Sequence, residues 1–134
     1  MIVVDSNVIA YCWVNGPLTT LAQRVRTRDP DWHVPILWRS EMRSILTGYL
    51  RDGSLTAEHV ARIMEAAEGT LAGREHLVPS ASVFEIAAKS HLSAYDCEFV
   101  ALAAVLAVPL VTADKAVLKA FPERAQTMET FTRA

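Results

Sequence analysis

Four acidic residues stand out by their setting: Asp5, Glu41, Asp96 and Asp114. Asp5 follows directly on the apolar run Ile2-Val3-Val4 in MIVVDSNVIAYCW, at the tip of a buried segment. Asp114 comes two residues after PLVT (109–112), a β-branched run that begins with a proline. Glu41 lies in LWRSEMRSILTGYLRDG, three residues after Trp38 and four before Ile45, on the edge of a helical apolar stripe. Asp96, in LSAYDCEFVALA, precedes Phe99, Val100 and Ala103 at helical spacing and so faces inward from a first turn. Each acid also has an ordinary structural role open to it. Asp5 and Asp114 can form Asx turns or cap the next helix, Ser93 and Asp96 have capping-box spacing, and Glu41 can reach out to solvent.

Jointly the four carry more weight, because two strand ends, a helix start and a core-facing helix edge can converge on one point. Carboxylates gathered in a small site need cations, or raised pKa values. No arginine or lysine has an evident buried position beside all four. Hard divalent cations with oxygen ligands, Mg²⁺ or Mn²⁺, meet that need, and the chemistry they support here is phosphodiester hydrolysis.

The elements that position these acids are legible in outline. Short strand signals fall at IVV (2–4), HVPI (33–36), HLV (76–78), PLVT (109–112) and, more weakly, AQTM (125–128). Helical patterns lie between them. One covers about 18–28, and the next places Met42, Ile45, Leu46, Tyr49 and Leu50 on one stripe, with Gly53 as its stop. A helix starting at Thr56 puts Val60, Ile63, Met64 and Ala67 on one face, and VFEIAAKSH, YDCEFVALAAVLA and KAVLKAF supply three more. Alternating strands and helices argue for an α/β fold, a mainly parallel sheet covered on both faces. In such sheets ligands bind beyond the carboxyl ends of the strands, which is where Asp5 and Asp114 stand.

A chain of 134 residues, 51% hydrophobic and 21% charged, is expected to form one cored domain over residues 1–134. The start has no basic region ahead of its short apolar run, and FVALAAVLAVPLV is broken by Pro109. Neither a secretory leader nor a membrane span is expected, and the expected location is cytoplasmic. Cys12 and Cys97 read as buried free thiols. The net charge of −2 does not advertise a nucleic-acid binder, but setting aside four metal-bound carboxylates turns it to +2. Arginines cluster at 24, 26 and 28 and at 39, 43 and 51, patterns that also suit solvated helix faces.

VVDSNVI near the start, Glu41 in the middle, SAYDCEFVALA and LVTADKAVL together resemble a PIN domain, specifically a VapC-type toxin ribonuclease, over nearly the whole chain. The resemblance implies a three-layer α/β/α sandwich and an Mg²⁺- or Mn²⁺-dependent endoribonuclease. It also implies a cognate antitoxin and, for many members, a homodimer. Asp5, Glu41, Asp96 and Asp114 match the family's acids, Thr112 its small hydroxyl residue before the last acid, and Ser6 and Asn7 the polar pair after the first. The expected roles are metal ligation by Asp5, Asp96 and Asp114, ligation or general-base work by Glu41, and orientation of ligands by Ser6 and Thr112. Asn7 would meet the ligands or the scissile phosphate. Arg39, Arg43 and Lys115 are candidate RNA contacts. Family members often carry a further acid or polar residue after the last aspartate, where this chain has Ala116 and Val117. His33, His59, His76 and His91 read as structural, and Trp13 and Trp38 as candidates for an antitoxin groove.

Phosphoaspartyl enzymes also place an aspartate after the first strand, but the haloacid-dehalogenase type needs D-x-D-x-T where this chain reads DSNVI. A response-regulator receiver needs a different order of acids. The remaining alternative is a PIN-like module that holds RNA or antitoxin without cutting.

Overall fold

In the computed structural model, which describes residues 1–133, the apolar run Ile2-Val3-Val4 is fully buried and forms β1 (Ile2–Val4) at the centre of a five-stranded sheet. β2 (Trp32–Pro35) and β4 (Leu110–Val111) flank it, and β3 (Glu75–His76) and β5 (Ala125–Gln126) form the edges, in the order β3-β2-β1-β4-β5. All four pairings are parallel, with Val3 opposite both His33 and Leu110. Parallel neighbours need crossovers, and helices supply them. In chain order these are α1 (Ser6–Trp13), α2 (Thr19–Arg28), α3 (Trp38–Arg51), α4 (Ala57–Leu71), α5 (Ser80–Ala88), α6 (Ala94–Leu106), α7 (Lys115–Ala120) and α8 (Met128–Arg133). α1 to α4 pack against one another and α2 carries α8, while α5 packs on α6, which lies against β1 and β2. The result is the expected three-layer α/β/α sandwich.

Local chemistry ends the helices where the sequence signals it. Thr56 caps α4 by accepting from His59 N–H, and Gly53, at φ +82°, makes the left-handed turn after α3. α6 stops one residue before the end of its apolar pattern. Ala107 takes a left-handed conformation (φ 56°), and Val108 N–H returns to the Ala103 carbonyl.

Two expectations change. On α3 the buried stripe is Trp38, Met42 and Leu46, whereas Tyr49 and Leu50 are 37% and 42% exposed and Ile45 is half-buried. The stripe is rotated toward Trp38 because that indole fills the core and donates to Glu75 Oε2 at 2.7 Å. Trp38 is therefore core and no part of a groove. Trp13 is half-buried, set edge-on to Trp32 at 6.0 Å with the Arg26 guanidinium over its ring. Cys12 and Cys97 are buried and free. Among the described residues no helix is long and apolar enough to cross a membrane.

Candidate metal centre

β1 delivers Asp5 to the carboxyl edge of the sheet, and β4 delivers Thr112 and Asp114 to the same edge. Asp5 N–H continues the ladder by donating to the Val111 carbonyl at 3.0 Å, which fixes the two strand ends together. Asp5, Glu41, Asp96 and Asp114 then line one cavity of about 300 Å³, with Ser6, Asn7, Ser44 and Ile45. Among the described residues no basic side chain lines it.

Neighbouring backbone and hydroxyl groups hold these acids in place. Asp5 is only 8% exposed; its Oδ1 accepts from Ser6 N–H and its Oδ2 from the Thr112 hydroxyl, both at 2.7 Å. Thr112, fully buried, in turn accepts from Asp114 N–H at 3.0 Å, so one hydroxyl ties two acids. Asp114 caps α7, its Oδ1 accepting from Ala116 and Val117 N–H. The Ser6 hydroxyl donates to Glu41 Oε1 at 2.7 Å, and Asn7 Oδ1 accepts from Ala113 N–H at 3.3 Å. Ser93 accepts from Asp96 N–H, so the cap and the cavity-facing acid coexist. Ser6, Asn7 and Thr112 thus orient the acids and the loop around them.

The electrostatics show a deficit of positive charge. Burial pushes the Asp5 carboxyl up to about 6, against the lowering effect of its two hydrogen bonds, with Glu41 and Asp96 adding repulsion. Burial is also the main cause of the upward shifts of Glu41 and Asp96, reinforced by Asp96 acting on Glu41 and by Asp114 acting on Asp96. Glu98, which sequence reasoning missed, is pushed up by burial and by Glu41. Oxygen donors alone, mutually repelled and without a cationic neighbour, are the donor set of a hard divalent cation. Among the described residues, however, no three acidic, histidine or cysteine side chains stand close enough to grip an ion by themselves. The donor set suits a cation that keeps several waters, as Mg²⁺ does, rather than a closed protein cage.

The candidate RNA contacts are not part of the cavity lining. Arg39 is engaged by Glu75 and Glu68, and neither it, Arg43 nor Lys115 lines the cavity. His33 and His76 hydrogen-bond ring to ring at 2.8 Å across β2 and β3, and His33 also bonds Asp31, a pairing set by sheet register that sequence spacing does not show.

Thr112 offers a direct check. Thr112→Val removes the donor to Asp5 and the acceptor for Asp114 N–H, and is expected to cost about 1–3 kcal/mol in urea unfolding. The loss should be larger at pH 8 than at pH 5, because ionised Asp5 needs the donor more than the protonated acid does.

A profile of the PIN domain matches residues 2–123. The comparison with curated proteins gives no match. Among solved structures, PAE2754 from Pyrobaculum aerophilum has a TM-score of 0.78 and 17% identity, over 98% of this chain and 93% of its own. FitAcB from Neisseria gonorrhoeae has a TM-score of 0.76 and 17% identity, over 96% of this chain and 99% of its own. At that identity the two structures support the fold, and the profile match carries the assignment: the chain belongs to the PIN domain family.

Proposed function

We propose that this PIN domain is an endoribonuclease dependent on Mg²⁺ or Mn²⁺ and acts as the toxin of a toxin–antitoxin pair. The observation that carries the catalytic reading is the single cavity lined by Asp5, Glu41, Asp96 and Asp114 without a basic residue. Asp5, Asp96 and Asp114 would hold the cation, with the Thr112 hydroxyl fixing the Asp5 carboxylate through Oδ2. A bound divalent cation supplies a lowered pKa for the attacking water and offsets charge on the phosphoryl oxygens. Glu41, its carboxyl pushed up by burial and anchored through Oε1 by Ser6, would accept the water's proton through its other oxygen. The toxin role rests on the VapC-type sequence pattern and brings with it an antitoxin partner and a homodimer, for which the exposed Leu77 and Phe84 offer apolar surface.

A second reading, an RNA-holding module that does not cut, draws on the side chains of the described residues, no three of which form a preassembled ligand group. Incubating the purified protein with single-stranded RNA and Mg²⁺ or Mn²⁺ separates the two. Fragments that vanish with EDTA are the expected outcome. RNA retained intact with either ion would sink the enzyme reading and favour the binder.

A further inference from the structure

The acidic cavity does not end at its carboxylates. Asn7 and Ile45 line both it and a second, neighbouring cavity of about 410 Å³ between α1 and α3. The walls of this trough follow from helix periodicity. On α1, Tyr11 stands one turn beyond Asn7, and on α3 the positions Glu41, Ile45 and Tyr49 succeed one another at four-residue steps. Each step advances about 6 Å along its helix, a distance comparable with the backbone repeat of an extended nucleotide chain. A strand whose phosphate lies at the carboxylates would therefore bring its next bases level with Tyr11 and then Tyr49.

The lining suits bases rather than further phosphates. It is mostly apolar, with Val14, Leu18 and Ile45 beside the two phenol rings, and among the described residues it includes no charged side chain of either sign. Tyr49 is 37% exposed, an aromatic ring left at the surface by the rotation of the α3 stripe toward Trp38. Asn7 uses its Oδ1 on Ala113 N–H, which leaves its NH₂ as a donor at the junction of the two cavities. Stacking on aromatic rings tolerates any base, since every base offers a π face.

We propose that the trough between α1 and α3 binds single-stranded RNA, with Tyr11 and Tyr49 stacking on the nucleobases adjacent to the scissile phosphate. This assignment rests on the nuclease reading of the acidic cavity. An apolar peptide also fits such a lining. RNA is favoured because Asn7 and Ile45 are shared with the acidic cavity and because each wall carries a tyrosine.

The test compares the parent with Tyr49→Ser and Tyr49→Phe on a single-stranded RNA dodecamer and on the same dodecamer carrying abasic residues beside the cleavage position. Melting curves confirm that both variants fold. Tyr49→Ser is expected to raise KM roughly tenfold with little change in kcat, the effect of one lost base stack, and Tyr49→Phe to restore the parent KM. Abasic substitution should raise KM for the parent, and by a clearly smaller factor for Tyr49→Ser, in which only the Tyr11 stack is left to lose. An unchanged KM in Tyr49→Ser, or a rise indifferent to the abasic residues, overturns the proposal while the nuclease reading stands. So does a Tyr49-dependent affinity for a leucine-rich amphipathic helical peptide together with Tyr49-independent RNA binding. If the parent leaves RNA intact, the nuclease reading fails separately. The trough is then judged by Kd for the same dodecamer, and equal affinities of parent and Tyr49→Ser overturn it too.

Discussion

Asp5→Asn is expected to lower metal-dependent RNA cleavage by roughly 10²–10³-fold, the size of losing a few kcal/mol of charge stabilisation at about 1.4 kcal/mol per tenfold. The domain should stay folded. Asn keeps an oxygen for Ser6 N–H, and its shape fits the slot between β1 and α1. Stability should move the opposite way from activity. Burial raises the Asp5 carboxyl to about 6, above its ordinary 3.8, so the folded domain binds that proton more tightly than the unfolded chain. The contribution of Asp5 is therefore fully present below about pH 4 and is lost as pH rises through 6. Above that, the cation-free protein carries a penalty of up to about 3 kcal/mol, which Asn does not have. At pH 8 with EDTA, Asp5→Asn should unfold at the same urea concentration as the parent or a higher one. Its stability should also vary less between pH 4 and 6. Added Mg²⁺ or Mn²⁺ should stabilise the parent by mass action and leave the variant nearly unmoved. A variant that cleaves like the parent removes Asp5 from the site. Lost cleavage with lost stability at pH 8 would instead make Asp5 a turn-former.

How far the sequence reaches is shown by particular residues. Asp5 and Asp114 are legible because a carboxylate directly after a buried parallel strand lands at the ligand-binding edge whatever the details of packing. Glu98 and Ser44 are not, since a charged or small polar residue on a helix looks the same whether it meets solvent or a neighbouring acid. The five strand signals in the sequence fall within a residue or two of the strands themselves, and β3 shows why the match is no closer. The apolar signal pointed to HLV, yet Leu77 is 85% exposed and the strand takes Glu75 instead. Glu75 is accepted there because Arg39 and Trp38, distant in sequence, satisfy its carboxylate. α8 was missed for a similar reason. AQTM reads as one strand in the sequence, but β5 stops at Gln126, Thr127 accepts from Thr130 N–H, and the short helix is held by contacts such as Arg28 over Phe131.

That same Glu75 pairing sets the second large expectation. Arg39→Met should destabilise the domain by about 1–3 kcal/mol, below the cost of breaking a fully buried pair because the arginine is one-third exposed. Arg39 donates from Nε and Nη2 to the two oxygens of Glu75, at 2.6 and 2.7 Å, and from Nη1 to Glu68. It thereby ties α3, which carries Glu41, to the edge strand and to α4. Without it, Glu75, whose side chain is 15% exposed, keeps only the Trp38 indole as a partner. The sign with pH follows from Glu75, whose carboxyl Arg39 holds below its ordinary value. That contribution is present above the unfolded value near 4.5 and is lost as pH falls through the lower folded one. The difference between parent and Arg39→Met in urea midpoint should therefore shrink on going from pH 7 to pH 3. An RNA contact would behave otherwise. Losing a phosphate contact reduces the salt slope of RNA binding by about one and leaves folding untouched. With the guanidinium already committed to two carboxylates, the salt slope should stay the same while the urea midpoint falls. The reverse pattern would show that Arg39 leaves Glu75 to meet the RNA backbone.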